Sequence, residues 1–490
     1  MKRLAAYIAA AAILISAGSP ALATEVVPYD TYNYDYRENV VLTPAAYVPG
    51  ETVSGIKLGT TSFKNPQGLT ISAEDGMVYI ADTGNNRILE LNRDMSAIVK
   101  EITTFDNNGV EDTFSAPYGV AVSESNELYI ADTNNHRVVV LAPDRRTVVK
   151  IVDNPQSEVL PATFEFTPLK VTVDYADRIY VISKNMFQGI MMFEPSGEFT
   201  GFFGTIEVQI TVWERFWRAI STKAERSRQQ LFIPTEFTGL DVDPDGFVYA
   251  SNFDPDGIKA VRRLNPKGQD VSKQGDNANT GGDLRITGNS EYSGTSQIVD
   301  VDYRYKGIYS LLDSKRGRIF TYDHEGNLLY IFGGLGTQAG TFRVPTAIEH
   351  IGDRVLVLDS IRNEIITFKE TEYGALINDA VSLRFDGDET QAVAKWQEVL
   401  LLNENLELAN VGIGKAYLTS GDNEQAMHYL RLGMNRTYYS IAFKRWRNDI
   451  LKENLGWVLT LLMILIVAGV VWTQVRRRQG KGKKREGGLL

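Results

Sequence analysis

The sequence predicts an all-β ring of repeated four-stranded units, followed by a small α-helical repeat segment and one transmembrane helix. Three observations carry that prediction. The stretch Tyr79–Arg87, YIADTGNNR, returns fifty residues later as YIADTNNHR at Tyr129–Arg137. Openings that alternate apolar and polar residues after a proline recur at Pro66, Pro117 and Pro168, a spacing of 51. Past residue 375 the apolar period becomes helical, and residues 455–474 form one uncharged, largely apolar run.

In chain order, Lys2 and Arg3 precede an apolar run from Leu4 to Ala17, then Pro20 and Ala21-Leu22-Ala23. This is the pattern of a secretory signal over residues 1–23, cleaved after Ala23. Residues 24–49 are a lead rich in tyrosine (Tyr29, Tyr32, Tyr34, Tyr36).

Each repeat then builds one sheet. A proline begins the first strand, where a missing N–H is tolerated. Turns such as Glu74-Asp75-Gly76 and Glu124-Ser125-Asn126 lead to a second strand, because Gly and Asn accept the positive φ of a tight hairpin. The Asp82–Arg87 stretch turns into a third strand, Ile88–Leu91, and a further turn into a fourth, Ala97–Ile102. Three weaker copies follow, through Thr238–Tyr249, Val299–Arg318 and Thr346–Glu364. Six such units each leave an apolar face uncovered, and closing them into a ring covers all six faces. The expected architecture over residues 50–370 is therefore an all-β six-bladed propeller.

Two interruptions stand out. Residues 205–232 read as a helical insertion with Trp213, Phe216 and Trp217 on one face, and Thr222 with Glu225 forming a capping box. That face either packs on the flank of the ring or docks a partner or the membrane surface. Residues 270–295, rich in Gly, Asn and Ser, read as a flexible loop.

The P-x-G-[LV] openings followed by YIADT resemble the NHL repeat, most clearly in the first two units. The resemblance implies a six-bladed propeller used mainly as a binding platform. The Asp and Arg five residues apart (Asp82 with Arg87, Asp132 with Arg137, Asp313 with Arg318) read as scaffold: a carboxylate capping turn N–H groups, and an Arg fixing the neighbouring blade. In residues 375–452, Gly387-Asp388 returns as Gly421-Asp422 and Ala392 as Ala426, 34 residues apart. This resembles two tetratricopeptide repeats, although Glu404 stands where that family's helix-ending proline is expected.

Trp457 and Trp472 flank the apolar run, and a basic tail over residues 475–490 follows it, with Arg476, Arg477, Arg478 and Lys481 among its cations. With a cleaved signal upstream, this orients a single-pass cell-membrane protein with its ectodomain outside and its tail cytoplasmic. Removing the signal's two and the tail's six net positive charges from the total of −10 leaves about −18 on the rest, which argues against nucleic acid. The chain has no cysteine, excluding disulfides, thiolate metal sites and a cysteine nucleophile. Signal, anchor and absent cysteine together suggest a Gram-positive bacterium.

The loops before the first strand and between the second and third strands share one face of the ring. There the sequence places Asn85, His136, Arg137, Lys170, Glu236, Asp254, Asp300, Arg318 and Arg343, a mixed-charge surface suited to binding. Lys170 and Asp300 replace the glycine of the opening and are expected to reach the central channel. No catalytic residue and no metal site is assigned, and no nucleophile elbow, phosphate loop or H-E-x-x-H motif occurs. The expected function is that of a membrane-anchored extracytoplasmic binding or scaffold protein without a cofactor. Its partners would be proteins or a cell-surface ligand, a membrane partner such as a transporter, and lipid through the anchor. The alternative is a metal-dependent lactonase of the gluconolactonase type, with calcium held by Glu236, Asp254 and Asp300. A three-histidine zinc site lacks ligands, because only His136 maps to the loop face.

Overall fold

The computed structural model describes residues 26–160, 164–205, 236–254, 259–273, 282–283 and 294–486. The expected secretory signal, the insertion residues Trp213, Phe216 and Trp217, and most of the 270–295 loop lie outside the described residues. The chain divides into two compact units, one ending at Glu404 and the other beginning at Asn405.

The first unit is a six-bladed propeller with a helix pair. A short hairpin, β1 (Tyr32–Tyr34) and β2 (Val40–Leu42), precedes β3 (Tyr47–Ser54). Blade one is β4 (Gly68–Ile71), β5 (Val78–Asp82), β6 (Arg87–Leu91) and β7 (Ile98–Ile102). After the hairpin of β8 (Thr104–Asn107) and β9 (Val110–Thr113), blade two is β10 (Pro117–Val122), β11 (Leu128–Asp132), β12 (Arg137–Leu141) and β13 (Val148–Val152). Blade three is β14 (Pro168–Val173), β15 (Ile179–Ser183), β16 (Ile190–Phe193) and β17 (Phe199–Phe203). Blade four has three strands among the described residues: β18 (Phe237–Val242), β19 (Val248–Asn252) and β20 (Val261–Leu264). Blade five is β21 (Ile298–Tyr305), β22 (Ile308–Asp313), β23 (Arg318–Tyr322) and β24 (Leu328–Phe332).

Blade six closes the ring differently from the sequence expectation of six self-contained meanders. Its own segment supplies β25 (Pro345–Ile351), β26 (Arg354–Asp359) and β27 (Glu364–Glu370), and β3 from the lead pairs with β27 as the fourth strand. The lead is thus part of the ring, and the edge of β27 is covered rather than left as a template for another chain. The hairpin β1–β2 also docks on the ring. Asn33 Nδ2 donates to the Leu329 carbonyl of β24 at 3.1 Å, and the Tyr32 and Tyr34 hydroxyls donate to the buried Asp283 carboxylate at 2.8 and 2.5 Å.

The repeated residues divide the work of assembly. Asp82 caps its own blade by accepting from the Lys64 N–H at 2.7 Å, and Asp132 does the same for Ser115. The next residue, threonine, links blades: the Thr83 hydroxyl donates to the Pro117 carbonyl and the Thr133 hydroxyl to the Pro168 carbonyl, each at 2.7 Å. The arginine therefore does not fix the neighbouring blade. Arg87 binds Asp82 and Glu101 of its own sheet, and Arg137 binds Asp132 and Asp112 of the preceding hairpin. In blade five Arg316 approaches Asp313 to 3.6 Å, while Arg318 donates to the Asp30 and Gly333 carbonyls and covers the Tyr32 ring.

The core is a series of interfaces between blades. Tyr79, Tyr129, Tyr180 and Tyr249, three residues before the end of each second strand, pack into the apolar layer shared with the following blade. Leu356 takes that place in blade six. Blade five departs from the pattern, since Ser310 holds the position and Tyr309 lies one residue earlier. A one-residue offset turns a strand side chain to the opposite face. Tyr309 accordingly meets Tyr249 across the blade four–five interface, with ring centroids 5.2 Å apart.

From β27 the chain passes into α1 (Glu372–Phe385) and α2 (Glu389–Leu402), with Thr371 and Asp388 as N-caps accepting from the N–H three residues on. The Tyr330 hydroxyl of blade five donates to Asn378 of α1 at 2.9 Å, fastening helix to ring. The second unit contains α3 (Glu407–Ser420), α4 (Asn423–Leu432) and α5 (Arg436–Glu486). Asp422 caps α4 as Asp388 caps α2, 34 residues earlier. The helices pack closely because a Cβ on Gly414 would lie 2.6 Å from the side chain of Leu430. Within α5, residues 436–478 are long and apolar enough to cross a membrane, and the apolar window is uncovered by the rest of the chain.

Candidate functional site

The inner strands β4, β10, β14, β18, β21 and β25 touch in succession, and β25 meets β4. They approach so closely that a Cβ on Gly68 would lie 2.2 Å from the Tyr118 carbonyl oxygen, and one on Gly119 2.6 Å from that of Leu169. Lys170 and Asp300 occupy the same place in blades three and five. Their side chains meet, Lys170 Nζ lying 3.1 Å from Asp300 Oδ1, with both largely buried. Blade four stands between them and contributes Gly239, where a Cβ would come within 2.7 Å of Asp300 Oδ1. Glycine in blade four is what leaves room for the ion pair.

Two residues further along, blades four to six carry acids, Asp241, Asp302 and Glu349, where blades one to three carry Thr70, Ala121 and Thr172. Some of these carboxylates join blades. Asp241 accepts from the Tyr303 N–H of blade five at 2.5 Å, and Asp300 Oδ2 from the Ile348 N–H of blade six at 3.1 Å. Asp302 Oδ1 lies 2.9 Å from His350 Nδ1, while its Oδ2 is buried with no hydrogen-bond partner. Burial foremost, then the charge of Asp302, holds the Asp241 carboxyl well above the usual range against its two backbone donors. Burial, followed by Asp302, Asp241 and Asp300, does the same to Glu349, with Lys170 opposing.

The sign of the resulting pH dependence follows. Between the unfolded carboxylate range, roughly pH 4, and the raised folded values, the native chain holds protons that the unfolded chain has released. Stability from these groups is present at low pH and falls as pH rises through that window. Glu349→Gln is expected to flatten the decline and to raise the melting temperature at pH 8 by roughly 2 °C. Parallel melts of variant and parent between pH 5 and pH 8 measure it, and an unchanged slope would remove Glu349 from the cluster.

The remaining residues expected on the loop face are dispersed. Asn85 donates to Ser62 and Asp82, and Arg137 and Arg318 are held in the contacts described above. His136 is 40% exposed, with Nδ1 2.9 Å from the Phe166 carbonyl oxygen and Nε2 3.3 Å from Glu165. Arg343 is exposed, Glu236 half-buried, and half-buried Asp254 accepts from the Lys259 N–H at 2.7 Å. Only Lys170 and Asp300 are brought together. Among the described residues no three His, Asp or Glu side chains converge as metal ligands. The channel acids escaped the sequence reading. Their signal was the acidic residue two places beyond the opening position in three successive repeats.

The NHL repeat model matches residues 63–91 and 114–141, the entering loop and first three strands of blade one and of blade two. Two of the six blades are NHL repeats. Among solved structures, the chain is similar to virginiamycin B lyase from Staphylococcus aureus (12% identity, TM-score 0.40, covering 66% of this chain and 99% of that one). It is also similar to XC5397, a gluconolactonase from Xanthomonas campestris (10%, 0.39, 66% and 98%), and to Kuenenia stuttgartiensis hydrazine synthase (10%, 0.37, 64% and 97%). No curated protein matches this chain.

Proposed function

We propose that this protein is a membrane-anchored extracytoplasmic receptor or scaffold whose propeller and helix pairs recognise a protein or cell-surface ligand. The observation that carries the reading is the joining, in one chain, of an NHL-type ring to a helix whose uncovered apolar window suits a bilayer. The signal-like N-terminus and basic tail support an outward-facing ring and a cytoplasmic tail, and the signal, anchor and absent cysteine together favour a Gram-positive source. The helix pairs act as tetratricopeptide-like partner surfaces, and the Trp213, Phe216 and Trp217 segment docks a membrane partner such as a transporter. Asn85, His136, Arg343 and the Lys170–Asp300 pair belong to the ligand face.

The test is chemical crosslinking in intact cells followed by purification of the full-length protein. Partners that persist in a Lys170→Met, Asp300→Asn double variant but vanish on Trp213→Ala, Trp217→Ala would assign recognition to the insertion; the reverse would assign it to the channel. A chain ending at residue 452 is expected to move from the alkali-resistant membrane fraction to the soluble one. Recovery of that chain in the membrane would sink the anchor reading.

The lactonase alternative requires a divalent ion, and the residues named for it do not fit. Asp300 is taken by Lys170 and the Ile348 N–H, and Glu236 and Asp254 do not join it in a ligand set. Lactone turnover lost on chelation, with stoichiometric bound metal, would overturn the binding reading.

A further inference from the structure

On the face opposite the loop face, a cleft of about 340 Å³ opens where blade four meets blade five. The register offset of Tyr309 places a second tyrosine beside Tyr249 in its lining. Tyr303 adds a third ring, its centroid 5.3 Å from that of Tyr249. Phe247 completes an aromatic wall. Flat rings of this kind receive another aromatic face by offset or edge contact, each such pairing adding about 0.5–1.5 kcal/mol beyond area burial.

Three nitrogen-bearing side chains line the cleft, Arg263, Lys273 and His324, beside the hydroxyls of its tyrosines and Ser272. The Arg263 guanidinium lies 3.9 Å over the Phe247 ring and gives one amino group to Asp243 at 2.8 Å. Its side chain remains 31% exposed, and its Nε has no partner. Lys273 is exposed at the mouth and makes no hydrogen bond or ion pair with any described residue. His324 stands edge-on to Phe385, with a buried Nδ1 that also lacks a partner. Burial chiefly, with help from the nearby Lys273 and Arg384 charges, keeps its imidazole below its ordinary pKa against Asp323 and Glu325. Arg263 and His324, which carry these two unpartnered nitrogens, both line the cleft. Against these, the cleft is lined by one carboxylate, Asp245.

We propose that this cleft is a second ligand site, which binds a small organic anion with a flat aromatic body, an aryl carboxylate. The ring lies along the half-buried Tyr303, which is backed by the buried Tyr249, and the carboxylate faces Arg263 and Lys273. A guanidinium and an ammonium lining an aromatic cleft suit a carboxylate, because charge-assisted bonds are the stronger ones. The site is independent of the loop face and of whatever the ring recognises there.

The experiment is calorimetric titration of the full-length protein in nanodiscs with 2-naphthoate and with its uncharged amide. Naphthoate is expected to bind at least tenfold more tightly than the amide. Lys273→Gln should weaken it about tenfold. Val271→Trp, at an exposed lining position, should abolish binding by filling the mouth. Both variants alter exposed side chains, and equal melting temperatures would verify that they fold. Equal affinity for acid and amide, unchanged binding by both variants, or no saturable binding of naphthoate at millimolar concentration would each overturn the proposal.

Discussion

A chain that keeps residues 1–25 but resumes at residue 55 is expected to lose the single sharp melting transition of the propeller. The deletion removes β3 and, with it, a ladder running from Ser54 opposite Glu364 to Tyr47 opposite Glu370. Tyr47 is fully buried and stacks on Phe332 of blade five at 4.6 Å. Its hydroxyl accepts from Arg304 and donates to Glu370 at 3.1 Å. Losing one large buried aromatic costs about 3–5 kcal/mol. Several ladder hydrogen bonds at about 1 kcal/mol each bring the loss near the whole stability of a typical domain. Arg304 would also be left buried beside Tyr330 alone of its two hydroxyl partners. Thermal melts followed by circular dichroism, with limited proteolysis, report the result. A truncated chain with the parent's transition would show that β3 decorates the ring rather than closing it.

The second large effect belongs to the channel. Lys170→Met is expected to lower stability by about 3–5 kcal/mol, because it leaves Asp300, only 6% exposed, as a buried charge without its cation. Adding Asp300→Asn should recover most of that loss, since the amide requires no counter-charge. The double-mutant cycle is expected to give a coupling of about 2 kcal/mol or more, read from chemical denaturation midpoints. The single variant should also lose less at pH 5 than at pH 8, because protonation relieves an unpaired buried carboxylate. Additive single effects would mean that the pair is not coupled in solution.

The ring itself was legible, because a blade is a local object whose turns announce themselves. The aspartate that ends a second strand and the proline that starts a first are both visible in one unit. What joins blades was less legible. Thr83 and Thr133 read locally as turn residues, yet their hydroxyls reach the next blade. Strand β3 carries no repeat signature and pairs with a segment more than three hundred residues away, a contact that no local pattern encodes. Arg318 departs from its local pattern for the same reason. Its expected partner Asp313 lies opposite in the same hairpin, but the lead intrudes and offers the Asp30 carbonyl and the Tyr32 ring. In the site, Lys170 and Asp300 could be found because they break a glycine rule. The acids beyond them break no rule within any single blade, and only comparison between repeats reveals them.

The closure of blade six also sets how the ring bears tension. The chain enters β3 at Tyr47 and leaves β27 at Glu370, and these two residues are paired at the same end of one ladder. A pull between the lead and the helices therefore loads the hydrogen bonds one pair at a time, beginning with Thr371 on the Ala45 and Ala46 carbonyls and passing to Tyr47, as a zipper opens, instead of shearing the whole ladder at once. The buried Tyr47 ring is the large catch behind that first bond. A propeller tethered at one end to a membrane would yield at its own seam before any blade came apart.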